Sequence, residues 1–346
     1  MICALRIAVA LAVFGMTGSA AQSAPTSTVL TFEQLNGWAD DDHQAALDTF
    51  LGTCRDMRTP EWQSLCRVAK TQSNAKTFFE LFFRPVLIED GEPALFTGYF
   101  EPELNGSRYR TGQFQYPLYK RPPEMLPGTL WHSREDIEEL GLMSGRGLEI
   151  AWVDDPVEVF FLQIQGSGRV RLQDGSTIRV GYSAANGHQY RSIGQELVRR
   201  GVYQPHQVSA QVIRNWVKRN PIEGADLLRH NPSFVFFRIV KNVGEHLGPL
   251  GAMNRSITPN RSVAVDPAYV PLGAPVWLEK GGQGGFKRLM VAQDTGSAIK
   301  GAQRADIFYG TGDKAGRMAG RVRDGGRMVV LFPIQEAYAR AEGFGE

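Results

Sequence analysis

Apolar positions recur with a helical period between residues 31 and 84, and with shorter, strand-like runs through most of the chain beyond. Leu47, Phe50, Leu51 and Cys54 share one helical face behind a cap drawn from Asp40-Asp41-Asp42. Thr59-Pro60-Glu61 is a cap followed by a first-turn proline, leading into Trp62, Leu65, Cys66 and Ala69. Phe78, Phe79 and Phe82 mark a third helix. It is expected to end at Arg84, because a residue before proline is pushed out of the helical region.

From Pro85 onward the runs read as strands bounded by turn residues. The run 94–102 stops at Pro102, and a polar, proline-containing stretch over 103–127 carries Tyr109, Phe114, Tyr116 and Tyr119. A strand is predicted over 157–165, ahead of Gly166-Ser167-Gly168. Val170 and Leu172 then face Ile178 and Val180 across a turn at Asp174-Gly175. Ser192 opens a short helix with Ile193, Leu197 and Val198, and a further helix over 209–219 carries Val212, Ile213, Trp216 and Val217. After Asn231-Pro232 a second β-rich series begins at Phe234 and continues through 262–265, 275–278, 289–292, 305–308 and 328–332. The composition shift near Asn105-Gly106 reads as a domain crossing, and no internal repeat or low-complexity segment occurs.

A chain of 346 residues favours two domains, and 42% hydrophobic with 21% charged residues supplies an ordinary core. A net charge of +2 lacks the clustered basic excess that nucleic acid or an anionic membrane calls for. Residues 1–21 read as a secretory signal peptide: Arg6, an apolar block over 7–14, then small residues up to Ala20 and Ala21. The block is well short of the roughly 20 residues that span a bilayer. Export leaves Cys54 and Cys66, on two neighbouring predicted helices, as a disulfide or as two core thiols. With no CxxC, no HExxH and no close histidine pair, neither a metal nor a cofactor is expected.

The chemistry concentrates in Leu289-Met290-Val291-Ala292-Gln293-Asp294-Thr295-Gly296 and Arg304-Ala305-Asp306-Ile307-Phe308-Tyr309-Gly310. Asp294 and Asp306 each follow a short apolar run and precede glycine, so both sit at or near strand ends. Neighbouring carboxylates perturb each other and make an acid/base pair, although turn and cap aspartates share this local chemistry. Asp294-Thr295-Gly296 also spells the triplet of aspartic proteases, but those need two such triplets and only one is present. A glycan-binding module without chemistry is the other competing class. It would not require a perturbed carboxylate pair.

Five ordered motifs carry a resemblance: Phe96-Thr97-Gly98-Tyr99-Phe100-Glu101-Pro102, Leu162-Gln163-Ile164-Gln165-Gly166-Ser167-Gly168, Asn231-Pro232-Ser233-Phe234-Val235-Phe236-Phe237, Arg261-Ser262-Val263-Ala264-Val265-Asp266, and the aspartate region. Together they resemble the membrane-bound lytic murein transglycosylase A family over about 97–333. The resemblance implies a mainly β fold with N-terminal helices: a double-psi β-barrel domain (25–105 plus 233–346), a smaller inserted β domain (106–232), and a glycan groove between them. It implies non-hydrolytic cleavage of the β-1,4 bond between N-acetylmuramic acid and N-acetylglucosamine in peptidoglycan, leaving 1,6-anhydromuramoyl ends. A single aspartate acts as acid and base, matching Asp306, with Asp294 beside it; the reverse assignment stays open. Candidate substrate-binding residues in the matched motifs are Thr97, Tyr99, Gln165, Ser167, Lys300 and Tyr309, with Gln165 favoured over Gln163. Lys300 would stabilise an oxyanion or pair with a surface carboxylate. The expected partners are peptidoglycan glycan strands and other cell-wall enzymes, with a monomeric enzyme in the periplasm. Members named for membrane attachment carry a lipidated cysteine after the signal, whereas Cys3 here precedes the apolar block.

Overall fold

Backbone pairing joins the β segments of this protein into two sheets in a computed structural model that describes residues 24–126 and 128–343. The expected signal segment lies outside the described residues. The larger sheet has nine strands in the order Thr26–Val29, Phe83–Glu89, Gly326–Pro333, Pro275–Lys280, Phe286–Asp294, Ser262–Val265, Arg304–Thr311, Leu95–Glu101 and Arg323–Asp324. The smaller sheet has six, in the order Tyr116–Tyr119, Glu149–Val153, Glu103–Ser107, Ser167–Leu172, Thr177–Ala185 and Val235–Val240. The fold is mainly β with N-terminal helices, as expected.

Three N-terminal helices cover one face of the nine-stranded sheet. They are His43–Thr53, capped by the Asp42 side chain on Ala45 N, Pro60–Ala69 with its proline in the first turn, and Ala75–Phe82. The third ends two residues before the predicted stop, because Phe83 already pairs in the sheet across from Pro333. Phe50, Phe78, Phe79 and Phe83 are fully buried among these helices, together with Ala305, Ile307, Val263 and Val265 from the sheet. Cys54 and Cys66 form a disulfide with a Cα–Cα distance of 5.5 Å, joining the first two helices.

The predicted strand over 157–165 is instead a helix, Pro156–Gln165. Asp155 caps it through Val157 N, proline occupies its first turn, and Gly166 stops it at φ 75° in the left-handed region. Its periodicity is masked because both faces are apolar. Val159 and Leu162 pack on the six-stranded sheet, while Val157 and Phe160 pack against the helices Ile193–Arg199, Ala210–Arg219 and Pro221–Arg229. Phe234 likewise does not open a return to the larger sheet, since Val235–Val240 pairs with Thr177–Ala185 in the smaller one. The polar stretch over 103–127 holds two strands of that sheet, Glu103–Ser107 and Tyr116–Tyr119.

The two sheets are joined directly, since strand Leu95–Glu101 runs through Pro102 into Glu103–Ser107. Glu101, with no exposed surface, receives Arg169 Nε at 2.8 Å and Thr311 Oγ1 at 2.8 Å, both on Oε2. Arg179 Nε lies 3.1 Å from Oε1 without the alignment of a hydrogen bond. Both arginines also donate to Leu247 O, at 3.0 and 2.7 Å. One buried carboxylate therefore ties the end of a large-sheet strand to two strands of the smaller sheet and to the returning loop.

Gly98 shows how closely the elements approach. A Cβ there would sit 2.8 Å from Ala319 Cα and 2.9 Å from the Tyr309 ring, against helix Gly312–Ala319. One side of that clash is backbone, so Gly98→Ala is expected to lose about 1–3 kcal/mol of stability. Urea unfolding checks this; an unchanged midpoint would mean the helix retreats freely.

Candidate active site

Four adjacent strands build the site, in the order Phe286–Asp294, Ser262–Val265, Arg304–Thr311, Leu95–Glu101. Ala264 pairs with Asp306 on one side and with Asp294 on the other, next to a register shift. The two aspartates thus stand two strand spacings apart, about 10 Å between backbones. Period-two alternation sends Ala305 and Ile307 into the main core and leaves Asp306 on the opposite face. Asp306 is in register with Thr97, and Phe308 with Tyr99. Residues distant in sequence therefore share one face.

An apolar floor lies under both carboxyls: Tyr99, Ile257, Ala264, Ile299 and Phe308 form one buried cluster, with the Tyr99 and Phe308 rings 5.3 Å apart. Asp294 is held by three donors. Ala252 N and Thr295 N reach Oδ1 at 3.0 and 2.9 Å, and the Tyr99 hydroxyl reaches Oδ2 at 2.9 Å. Asp306 receives the Thr97 hydroxyl on Oδ1 at 2.6 Å. Arg304 Nη2 donates to that same hydroxyl at 2.9 Å.

Burial raises the pKa of both carboxyls because the charged form loses water. Asp294 is pushed up to about 6: burial dominates, its three donors oppose it, and the charge of Asp306 adds to the rise. Asp306 is also raised, again first by burial, with Thr97 and the Arg304 charge pulling the other way. Burial, not repulsion from Asp294, is thus the main cause at Asp306. Tyr99 is raised well above its usual value, chiefly by burial, and stays a proton donor to Asp294.

The other sequence candidates fall in several places. Gln165 Oε1 accepts from Phe100 N at 3.0 Å, fastening the Pro156–Gln165 helix to the Tyr99 strand. Gln163 is buried and bonded to Arg134, and Ser167 is buried at the start of its strand. Lys300, 64% exposed, pairs with Asp266 at 3.4 Å and is not placed against the aspartates. The Tyr309 ring packs beneath Gly98 and onto the main core, on the reverse of the face that carries Asp306. Among the described residues, no cluster of histidine, cysteine or acidic side chains could hold a metal ion. Arg304 and the backbone of Ala252 were not singled out in the sequence. Arg304 was within reach, because residues two apart on a strand share a face.

A nine-stranded sheet that carries two part-buried carboxyls of raised pKa, continuous through Pro102 with a six-stranded sheet, defines a two-sheet protein with a titratable pair near the junction. Residues 95–238 match the family model described as MltA specific insert domain, and residues 261–332 match the 3D domain. The chain belongs to the membrane-bound lytic murein transglycosylase A family. It is 37% identical over 249 residues to membrane-bound lytic murein transglycosylase A of Escherichia coli strain K12, covering 68% of this chain and 65% of that relative. The chain thus matches just under two thirds of the length of its curated relatives. A membrane-bound lytic murein transglycosylase structure from Agrobacterium tumefaciens superimposes with TM-score 0.81 at 32% identity, covering 91% of this chain and 99% of that one. E. coli MltA with bound chitohexaose aligns with TM-score 0.73 at 29% identity over 89% and 94% of the two chains.

Proposed function

We propose that this protein is a peptidoglycan lytic transglycosylase in which Asp306 acts as both acid and base. The observation that carries the reading is the contrast between the two carboxyls. Both are part-buried, but Asp294 has its oxygens engaged by three donors, whereas among the described residues the Asp306 carboxyl is hydrogen-bonded on Oδ1 alone. A raised pKa keeps a carboxyl protonated closer to neutral pH, as a general acid requires.

In the first step protonated Asp306 gives its proton to the glycosidic oxygen, and the bond from that oxygen to C1 of the muramoyl residue breaks. In the second, the Asp306 carboxylate takes the proton of the same sugar's C6 hydroxyl as its oxygen bonds to C1. No water is consumed and the acid is regenerated. A hydrolase needs a second carboxylate to act as nucleophile or to activate water. Here the nucleophile is tethered, with effective molarities on the order of 10⁵ M or more when well oriented. Burial raises Asp294 as well, so the productive form is the one in which the shared proton sits on Asp306. There the Asp294 carboxylate, its charge met by three donors, would favour the positive charge developing at C1. The pair holding one proton is the active form, so activity falls when both carboxyls are protonated at low pH and when both are ionised at high pH.

Support for a glycan substrate comes from the relative that holds chitohexaose. The working division is one lobe built on the nine-stranded sheet and another on the six-stranded sheet, with the glycan lying between them. The periplasm is the compartment where that substrate lies. No helix among the described residues is long and apolar enough to cross a membrane.

Digestion of purified sacculi followed by mass spectrometry of the released muropeptides tests the reading. Anhydromuramoyl ends are expected. Reducing ends would indicate a hydrolase, cut stem peptides a peptidase, and no release a binding module.

A further inference from the structure

Thr97 stands beside Asp306 with a single hydroxyl proton to place. Arg304 Nη2 already donates into Thr97 Oγ1, so the hydroxyl proton is directed at Oδ1 of Asp306, 2.6 Å away. Arg304 is itself held still, since its Nη1 donates to Leu95 O at 3.1 Å and to Ala305 O at 2.7 Å. Oδ1 is therefore fixed as an acceptor. Were it to carry the acid proton, that proton and the Thr97 hydroxyl proton would face each other, leaving the hydroxyl without an acceptor in a part-buried site. Oδ2 makes no hydrogen bond to the described residues, yet it is not sealed from solvent.

We propose that Arg304 and Thr97 are a positioning pair that reserves Oδ1 of Asp306 as an acceptor, so that the transferable proton resides on Oδ2. This rests on the transglycosylase reading and deepens it, since it specifies which oxygen meets the glycosidic bond. The step stays balanced: the proton leaves from Oδ2 and the C6 hydroxyl proton returns to Oδ2, while Thr97 keeps its own proton throughout. The pair also sets an upper bound on how firmly the acid holds its proton, because both partners favour the carboxylate form.

The groups around Asp306 define what a titration would read. Arg304 lies on its own strand, Thr97 and Tyr99 on one neighbouring strand, and uncharged Ala264 on the other, with Asp294 beyond it. Arg323, in register with Thr97, bears on Arg304, and Tyr309 lies on the reverse face. Of these, only Thr97 touches Asp306 with a hydrogen bond.

The test compares the pH dependence of anhydromuropeptide release, as kcat/KM, for the parent enzyme and for Thr97→Val, Thr97→Ser and Arg304→Gln. Thr97→Val removes the donor at nearly constant volume. It is expected to lower kcat/KM on the order of 10²-fold through misplacement of the acid. The alkaline limb should also move to higher pH, because the carboxylate loses its stabilising bond. Thr97→Ser restores both rate and limb. Arg304→Gln moves the limb in the same direction and provides the measurement should Thr97→Val fold poorly. A limb that stays in place in both variants, or a serine variant as impaired as valine, overturns the positioning pair. A parent enzyme that makes no anhydro ends would instead overturn the underlying function, so the two failures are distinct.

Discussion

Asp306→Asn is expected to reduce anhydromuropeptide release on the order of 10⁴-fold, the upper range for removing a general acid and base together. The amide retains an oxygen for the Thr97 hydroxyl, so the local hydrogen bond survives. Stability should move in the opposite direction from activity. The folded-state pKa of Asp306 is raised, so ionising it costs the folded protein free energy, fully present above that pKa. A neutral amide escapes the cost. The variant is therefore expected to melt at or above the parent temperature at pH 7, and the advantage disappears below about pH 4, where the carboxyl is protonated in folded and unfolded chains alike. Calorimetry at the two pH values, with muropeptide analysis on the same preparations, checks both halves. Turnover retained at parental rates would hand the acid role to Asp294.

Glu101→Ala is expected to be the most damaging single change to stability, at about 3–5 kcal/mol. Deleting a fully buried carboxylate leaves Arg169 and Arg179 with only Leu247 O and neighbouring backbone to satisfy them. It also removes the acceptor of the Thr311 hydroxyl, which projects from the end of the Asp306 strand. Because this network spans the two sheets, activity should fall along with stability even though Glu101 touches neither aspartate. Glu101→Gln keeps an acceptor without the charge and should fall between the two. Guanidinium unfolding measures the loss, and a parental midpoint for Glu101→Ala would show that the junction is held by apolar packing alone.

How much of this was legible beforehand depended on the range of the interaction that decides each feature. The disulfide was one of two readings of two neighbouring helices, and the structure closes it between Cys54 at the end of the first helix and Cys66 within the second. Most strands of the larger sheet were visible as short apolar runs between glycines and prolines. The Pro156–Gln165 segment misled because packing on both faces removes the polar positions that reveal a helical period. Asp155-Pro156 and Gly166 were the better guides, since caps report backbone geometry whatever the burial. Phe234 to Phe237 looked like a return to the first domain, but an apolar run does not say which sheet it will pair with.

The site divides in the same way. Asp294 and Asp306 stand out as carboxyls behind short apolar runs and ahead of glycines. Asp294 does end its strand, whereas Asp306 lies inside Arg304–Thr311, paired on both sides, where alternation puts it on one face with Phe308. Nothing local separates their roles. That contrast comes from Tyr99, almost two hundred residues away in sequence, and from the backbone of Ala252, which together engage the oxygens of Asp294. Lys300 and Tyr309 sit in the same motif yet end elsewhere, one on Asp266 and the other behind the sheet.

The sequence by itself determined the helical start, the β-rich body, which two cysteines could meet and which two carboxyls stand out as candidates. All four follow from short-range chemistry: caps, periodicity, turn residues and residue type. Tertiary structure alone decided which oxygens are free, why both carboxyls hold their protons more tightly, and how the two sheets are bolted together at Glu101. Those properties depend on desolvation and on partners brought from distant segments, and a sheet's strand order is not written in any one strand.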